Sequence, residues 1–336
     1  MGPVSSNLSQ QAQVIAQLDL QALPPGQISR YWLHLVTDGM GMPVYVPILV
    51  ARGQEEGPTL GLTAAVHGNE INGIPVIQRL FRELDPTQLR GTVVGVLVTN
   101  VPSLLLKQRR FIDGTDLNHI MPGREDGNVS EVYAYRIIQR VVRHFDYLLD
   151  LHTASFGRIN SYYIRADMAH AKTRKMALLQ NAQIIVHNPP LDGTLRGAAD
   201  ALGIPAVTLE VGNPHVFQKG LIRSGLTGIY NLLYHLNMVE GDIEEPDEPA
   251  RLCSTSEWMF TDTGGILAVH PVITQQVAAG EVVAAVRDVF GSLKKEYRAP
   301  HDGIVIGKSV DPINQTGGRI LHLGTLERGR MGEGEM

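Results

Sequence analysis

Residues 59–80 read TLGLTAAVHGNEINGIPVIQRL. The first eight are almost all apolar, the next four (His67, Gly68, Asn69, Glu70) are a polar turn, and beyond them Ile74, Val76, Ile77 and Leu80 recur at helical spacing. An unbroken apolar run, rather than an alternating one, predicts a strand covered on both faces. Its passage through a short turn into an amphipathic helix is the unit from which α/β sheets are built. The two polar residues with chemistry, His67 and Glu70, sit where the strand should end. A His-x-x-Glu match by itself is commonplace in a chain with 12 His, so its meaning depends on what else reaches the same sheet edge.

The same pattern recurs downstream. GTVVGVLVTN (91–100), DYLLDLH (146–152), QIIVH (183–187) and PAVTLEV (205–211) read as apolar strands; SEVYAYRIIQRVVRHF (130–145), MALLQ (176–180) and TLRGAADALG (194–203) read as helices between them, the first opening at Ser130 and Glu131. Upstream, residues 31–53 alternate around a Gly-rich turn and predict an antiparallel hairpin. The expected fold class is α/β, a mainly parallel or mixed sheet with helices on both faces. At 240–250 the sequence turns acidic and Pro-containing (EGDIEEPDEPA), like a linker, and is followed by short strand-like pieces split by Gly. These predict a small C-terminal all-β domain. The expected division is a polar lead-in at 1–28, a catalytic domain at 29–245 and a β-rich domain at 246–336 with a polar tail.

Composition narrows the function. Hydrophobic residues make up 43% and charged residues 19% of 336, and the formal charge of -5 supplies no basic field for nucleic acid. The single Cys253 excludes an internal disulfide and a Cys-rich metal site, and reads as a small buried hydrophobe in a reducing compartment. The N-terminal residues lack a cationic start and an apolar block, and no run of about 18 apolar residues occurs. The expectation is a cytoplasmic protein without membrane partners, acting on a small molecule, with a composition compatible with a homo-oligomer.

Ligands of open parallel sheets bind beyond the carboxyl ends of the strands. Three predicted strands end in ligand-type residues: His67 (with Glu70 in the next turn), His152 and Glu210. Two His, one carboxylate and an open position is a catalytic zinc pattern, found for example in carboxypeptidase A. His67, Glu70 and His152 are therefore the expected ligands of one zinc per chain, with Gly68 letting the chain curl so that the first two meet. Asp150, on the same face of its strand as His152, is the expected orienting partner. His187 and His270 are weaker rivals. Glu210 is the expected general base. The aperiodic stretch KQRRFIDGTDLNHIMPGR (107–124) has the length of a functional loop. Within it, Arg109 or Arg110 is a candidate to stabilise an oxyanion, and Asn118 to hold a substrate carboxylate or amide. No Gly-x-Ser-x-Gly elbow, phosphate-binding loop or dinucleotide fingerprint is present.

Taken in order, HGNE (67–70), RFIDGTDLN (110–118), Pro122-Gly123, LDLHT (149–153), VTLEVG (207–212) and APHDGIV (299–305) resemble the succinylglutamate desuccinylase and aspartoacylase family, within the clan of zinc carboxypeptidases. The resemblance spans roughly residues 30–325. It implies a zinc hydrolase that cleaves the amide of a small N-acylated amino acid or amine, with His67, Glu70 and His152 on the metal, Glu210 as base, Arg110 polarising the carbonyl and Asn118 binding substrate. A carboxypeptidase acting on short peptides, or a non-catalytic metal- or ligand-binding relative, are the alternatives. One departure stands out: the family pattern has Arg after the Asn, and this chain has His119. A neutral imidazole cannot form the bidentate, always charged clamp of Arg. The expectation is weak action on N-acetylaspartate and N-succinylglutamate and a preference for a neutral or cationic amine portion, unless Arg196 or Arg165 replaces the missing cation beside His119.

Overall fold

The structure, a computed structural model, describes residues 11–155 and 157–327. The first ten residues of the expected lead-in and the tail from 328 on lie outside them. In chain order the first part comprises strands β1 (Gln13–Ile15), β2 (Gln27–Thr37), β3 (Pro43–Arg52) and β4 (Glu55–Ala64), helix α1 (Gly73–Glu83), strand β5 (Arg90–Val96), and helices α2 (Val101–Leu106) and α3 (Val129–Arg140). Next come β6 (Tyr147–His152), β7 (Arg158–Asn160), β8 (Tyr162–Ala166), α4 (Ala171–Leu178), β9 (Ile184–His187), α5 (Leu195–Ala201), β10 (Ala206–Val211) and α6 (Lys219–His235). The remainder is β: β11 (Arg251–Phe260), β12 (Gly265–Val269), β13 (Gln276–Val277), β14 (Val282–Arg287), β15 (Leu293–Arg298), β16 (Gly303–Ser309), β17 (Ile313–Asn314) and β18 (Arg319–Leu326).

The apolar strands form the sheet centre. β5, β4, β6 and β10 run side by side and parallel, while β8 lies antiparallel to β10 and parallel to β9, so the sheet is mixed. Alternate side chains of these strands feed two cores. Val93, Leu149, Leu151, Val207 and Leu209 pack with α1, α4 and α6 on one face, whereas Val94, Val96 and Leu148 pack with α3 and α5 on the other. Each such aliphatic side chain contributes about 1.5–3 kcal/mol through burial. The hairpin read at 31–53 is β2 against β3. Helix α3 begins one residue earlier than its sequence suggests, because Asn128 caps it and Glu131 returns the bond to the Asn128 N–H.

Two expectations change. The lead-in is not merely polar: β1 pairs parallel with β2, and Leu18 and Leu23 are buried in the second core. Two isolated apolar residues carry no periodicity, so the sequence hides this anchor. The C-terminal part has its own four-stranded sheet (β15-β14-β12-β17) and its own core around Val283, Val286 and Leu321. The exposed stretch 241–249 before it has no regular structure. Yet the main sheet does not stop there. β11 adds parallel to β9, β18 pairs with β11, β16 with β18, and β7 from the first part pairs with β16. Cys253, 1% exposed, lies in the small core that joins β8 and β9 to this extension, and burial pushes its thiol up to about 12. Among the described residues no helix is long and apolar enough to cross a membrane.

Candidate active site

β4 ends at Ala64, and Ala65 turns the chain with a left-handed φ of 52°. A non-Gly residue holds that conformation only where its surroundings fix it. Here the carbonyls of Ala64 and Ala65 accept the N–H groups of Thr99 and Asn100 at 2.8 and 3.0 Å. The turn delivers His67 and Glu70 onto the end of the neighbouring β6. Gly68 serves a different purpose from the one its sequence suggests: a Cβ there would lie 2.0 Å from the Ser103 carbonyl carbon, so the glycine admits α2 against the turn.

His67, Glu70 and His152 are all buried, and one ligand atom from each lies within 4.8 Å of the others. Glu70 Oε1 is 3.0 Å from His67 Nδ1, and Glu70 Oε2 is 2.9 Å from His152 Nδ1. The opposite ring nitrogens are occupied by carboxylates: Asp116 Oδ1 is 3.0 Å from His67 Nε2, and Asp150 Oδ2 is 2.7 Å from His152 Nε2. The second oxygen of Asp150 accepts the Thr63 hydroxyl at 2.7 Å. The two carboxylates thus fix both rings with Nδ1 turned inward, as carboxylate–histidine–metal arrangements require. His67 Nδ1, out of alignment with Glu70, has no hydrogen-bond partner. A buried polar nitrogen without one is costly in a protein interior, and a cation between these three side chains would satisfy it. The group could therefore hold a metal ion.

The charges follow. Burial alone would raise the Glu70 carboxyl, but His67 and His152 outweigh it and hold it well below the ordinary range. Burial likewise opposes charge on His152, and Asp150 and Glu70 overcome it, leaving the imidazole well above its usual value. Asp116 is lowered despite burial by His67 and Arg109.

Glu210 stands opposite His152 in the parallel β10/β6 register. Its Oε2 accepts the Asn160 amide at 3.2 Å, and its Oε1 lies 3.4 Å from Arg165 Nε. Arg165 also donates to the Tyr163 hydroxyl at 2.6 Å. Asn160 comes from β7, which is held by β16 of the C-terminal extension. Gly307 of that strand makes room for it, since a Cβ there would lie 2.2 Å from Asn160 Oδ1.

The long loop separates its two arginines. Arg109 points inward, with Nη1 donating to Glu70 Oε1 and Ser155 Oγ at 2.9 and 3.0 Å and Nε to Asp116 Oδ2 at 2.9 Å. Arg110, exposed at the rim, donates instead to the Gly114 carbonyl at 2.8 Å. The two arginines lie in a bend, and the sequence gives no sign of which one faces in. Asn118 Oδ1 accepts the Leu195 N–H at the start of α5 at 2.7 Å, which leaves its amide N–H groups as the free end on the cavity wall. His119 is exposed at the rim. Arg196 is buried and donates to the Asn188 backbone and side-chain oxygens at 2.6 and 2.5 Å. His187 is turned away, accepting the Met168 N–H.

The ligand group, Glu210, both loop arginines, Asn118, His119 and Arg196 line one cavity of about 760 Å³. Its lining also includes residues the sequence reading passed over: Arg158 of β7, Trp258 of β11 and Arg319 of β18. A slight signal existed, since Trp258 is one of only 2 Trp in the chain. Short β7, buried in an aperiodic stretch, offered none.

Residues 56–236 match the succinylglutamate desuccinylase/aspartoacylase catalytic domain. The chain belongs to this family. It is similar to an N-alpha-acetyl-L-2,4-diaminobutyric acid deacetylase of Halomonas elongata, with 27% identity over 278 residues covering 79% of this chain and 81% of the relative. A succinylglutamate desuccinylase of Pseudomonas paraeruginosa is 28% identical over 230 residues, which span 64% of this chain and 66% of the relative. The fold is that of the solved succinylglutamate desuccinylase/aspartoacylase from Rhodobacter sphaeroides, with a TM-score of 0.84 at 22% identity over 95% of this chain and 100% of that one.

Proposed function

We propose that this protein is a zinc-dependent amidohydrolase that removes the acyl group from a small N-acylated amino acid. The observation that carries this reading is the pair of imidazoles whose outer nitrogens are tied to Asp116 and Asp150 while both inner nitrogens meet at Glu70. The named relatives, a deacetylase and a desuccinylase, fit the same reaction type. Zinc held by His67, Glu70 and His152 would supply Lewis-acid activation of water and of the substrate carbonyl.

The chain's own groups account for the rest. Glu210, buried and facing the ligand group across the β6/β10 register, takes the proton of the attacking water and returns it to the departing nitrogen. Asn160 and Arg165 each engage one of its oxygens and fix its orientation. Arg109 is the guanidinium beside the ligand group and is the better candidate than Arg110 to face charge that develops on the carbonyl oxygen. Asn118, its carbonyl committed to α5, offers its N–H groups to the substrate.

The test is metal analysis of the purified protein, followed by amine-release assays over N-acyl amino acids, N-acyl diamines and dipeptides. Expected are about one zinc per chain, its loss in His152→Ala, and turnover of N-acyl amino acids. Full metal occupancy in His152→Ala would exclude that ligand, and preference for dipeptides would favour a carboxypeptidase.

A further inference from the structure

The cavity holds more arginines than its carboxylates neutralise. Arg109 is bound to Glu70 and Asp116, Arg165 to Glu210 and Tyr163, and Arg196 to Asn188. Arg110 is spent on a loop carbonyl. The two cations named from the sequence as substitutes for the missing Arg at 119 are therefore already engaged. Arg158 and Arg319 are different: among the described residues neither guanidinium has a hydrogen bond or an ion pair. Each instead lies against the Trp258 ring, with Cζ 5.5 Å and 5.3 Å from its centroid.

Two like charges drawn to one indole repel each other. The ring's attraction explains why each is there, but it leaves their hydrogen-bond donors unused on the wall of the cavity. The site is built rather than accidental. Trp258 stacks on His322 at 4.9 Å and 9°, and His322 Nε2 is 2.8 Å from Ser256 Oγ. Arg158 is held by the β7/β16 ladder, and Arg319 by the pairing of β18 with β11. Burial, with Arg319 and then Arg109 adding to it, lowers Arg158, while burial with Arg109 and Arg165 lowers Arg319. His322, stacked on the ring, is pushed well down, first by burial and then by Arg165, Arg158 and Arg319.

We propose that Arg158 and Arg319, braced by Trp258, form the subsite that binds a carboxylate of the substrate, replacing the clamp that is absent at His119. Planar guanidinium forks match carboxylates bidentately, and a bound carboxylate relieves the repulsion between the two. The substrate class narrows accordingly to N-acyl amino acids with a free carboxylate, against the neutral or cationic preference that the sequence suggested. Specificity is thus delivered by β7 and by the C-terminal strands, while the chemistry stays at the edge of the parallel sheet.

The inference rests on the hydrolase reading for its role in turnover, but not for binding, and the experiment separates the two. kcat/KM would be measured on matched pairs that differ only in charge: N-acetyl-L-alanine with N-acetyl-L-alaninamide, and N-acetyl-L-glutamate with N-acetyl-L-glutamine. The zinc-loaded wild type, Arg158→Gln, Arg319→Gln and the double variant would be compared. The acid-to-amide ratio should fall at least tenfold in the double variant for one of the pairs, and Arg→Lys at both positions should restore part of it. A ratio unchanged within twofold for both pairs would overturn the proposal. If the wild type hydrolyses none of the four, turnover does not read the subsite, and the hydrolase reading is judged on the wider panel above. The subsite is then decided by calorimetric titration of the same four compounds: acid binding that weakens tenfold in the double variant supports it, and equal binding to wild type and variant, or no binding to either, overturns it.

Discussion

The two ends of the cavity are built on opposite principles. At the sheet edge the imidazoles are held by a relay of side chains: Thr63 holds Asp150, Asp150 holds His152, and Asp116 holds His67. Where the C-terminal strands line the cavity, Arg158 and Arg319 rest against an aromatic ring with no hydrogen-bonding partner among the described residues. The contrast matches two requirements. A reaction centre must be rigid before substrate arrives, because orientation lost there is lost in the transition state. A recognition site must keep its donors available, because a cation already paired within the protein has little left to give a ligand.

The largest expected effect tests the rigid end. Glu210→Gln removes the proposed base and keeps the shape, so turnover should fall at least about a hundredfold while zinc content is unchanged; an active Gln variant would end the proposed role. Next, Asp150→Asn leaves the Thr63 and His152 contacts sterically intact but removes the charge that fixes the ring. Loss of such a supporting carboxylate should weaken zinc binding by about 10–100-fold, read by competition with a chelator while circular dichroism stays native. An unaltered affinity would make Asp150 a bystander.

A third variant asks whether the two ends are coupled. Gly307→Ala, in the C-terminal extension, puts a methyl where Asn160 Oδ1 now lies 2.2 Å away. Displacing the Asn160 amide from Glu210 removes a hydrogen bond to a charged group, worth about 1.5–3 kcal/mol. kcat should drop about tenfold or more with zinc retained. Unchanged kcat in a folded variant would show the ends to be independent. The smallest effect is expected at the rim. Because His119 is exposed and the cavity already holds unpaired arginines, His119→Arg should change the acid-to-amide ratio by less than about threefold, on the usual scale of an exposed ion pair. A tenfold gain would return carboxylate recognition to position 119.

Much of what brings the candidate site together was legible because it is local. A continuous apolar strand ends at a definite place, and the polar residue it carries there, His152 as the last of β6 or Glu210 as the last but one of β10, can be read off. Asp150 followed from the two-residue period of β6. What was not legible depended on direction and distance. RR at 109–110 gives two equivalent cations until the fold turns one to Glu70 and the other to Gly114. The sheet extension was hidden for a similar reason: an acidic linker looks the same whether the next strand packs apart or, as β11 does, adds to β9.

The sequence by itself determined the α/β class, the hairpin, the strand ends that carry His67, His152 and Glu210, and the β character of the C-terminal part, because periodicity and strand termination are properties of neighbouring residues. Only the tertiary structure decided that Asp116 joins Asp150 in aiming two imidazoles, that Gly68 and Gly307 exist to let other chain segments approach, and that Arg158 and Arg319 both lie against Trp258. The last pair lies more than 150 residues apart in the chain, and no local pattern joins residues brought together only by strand pairing.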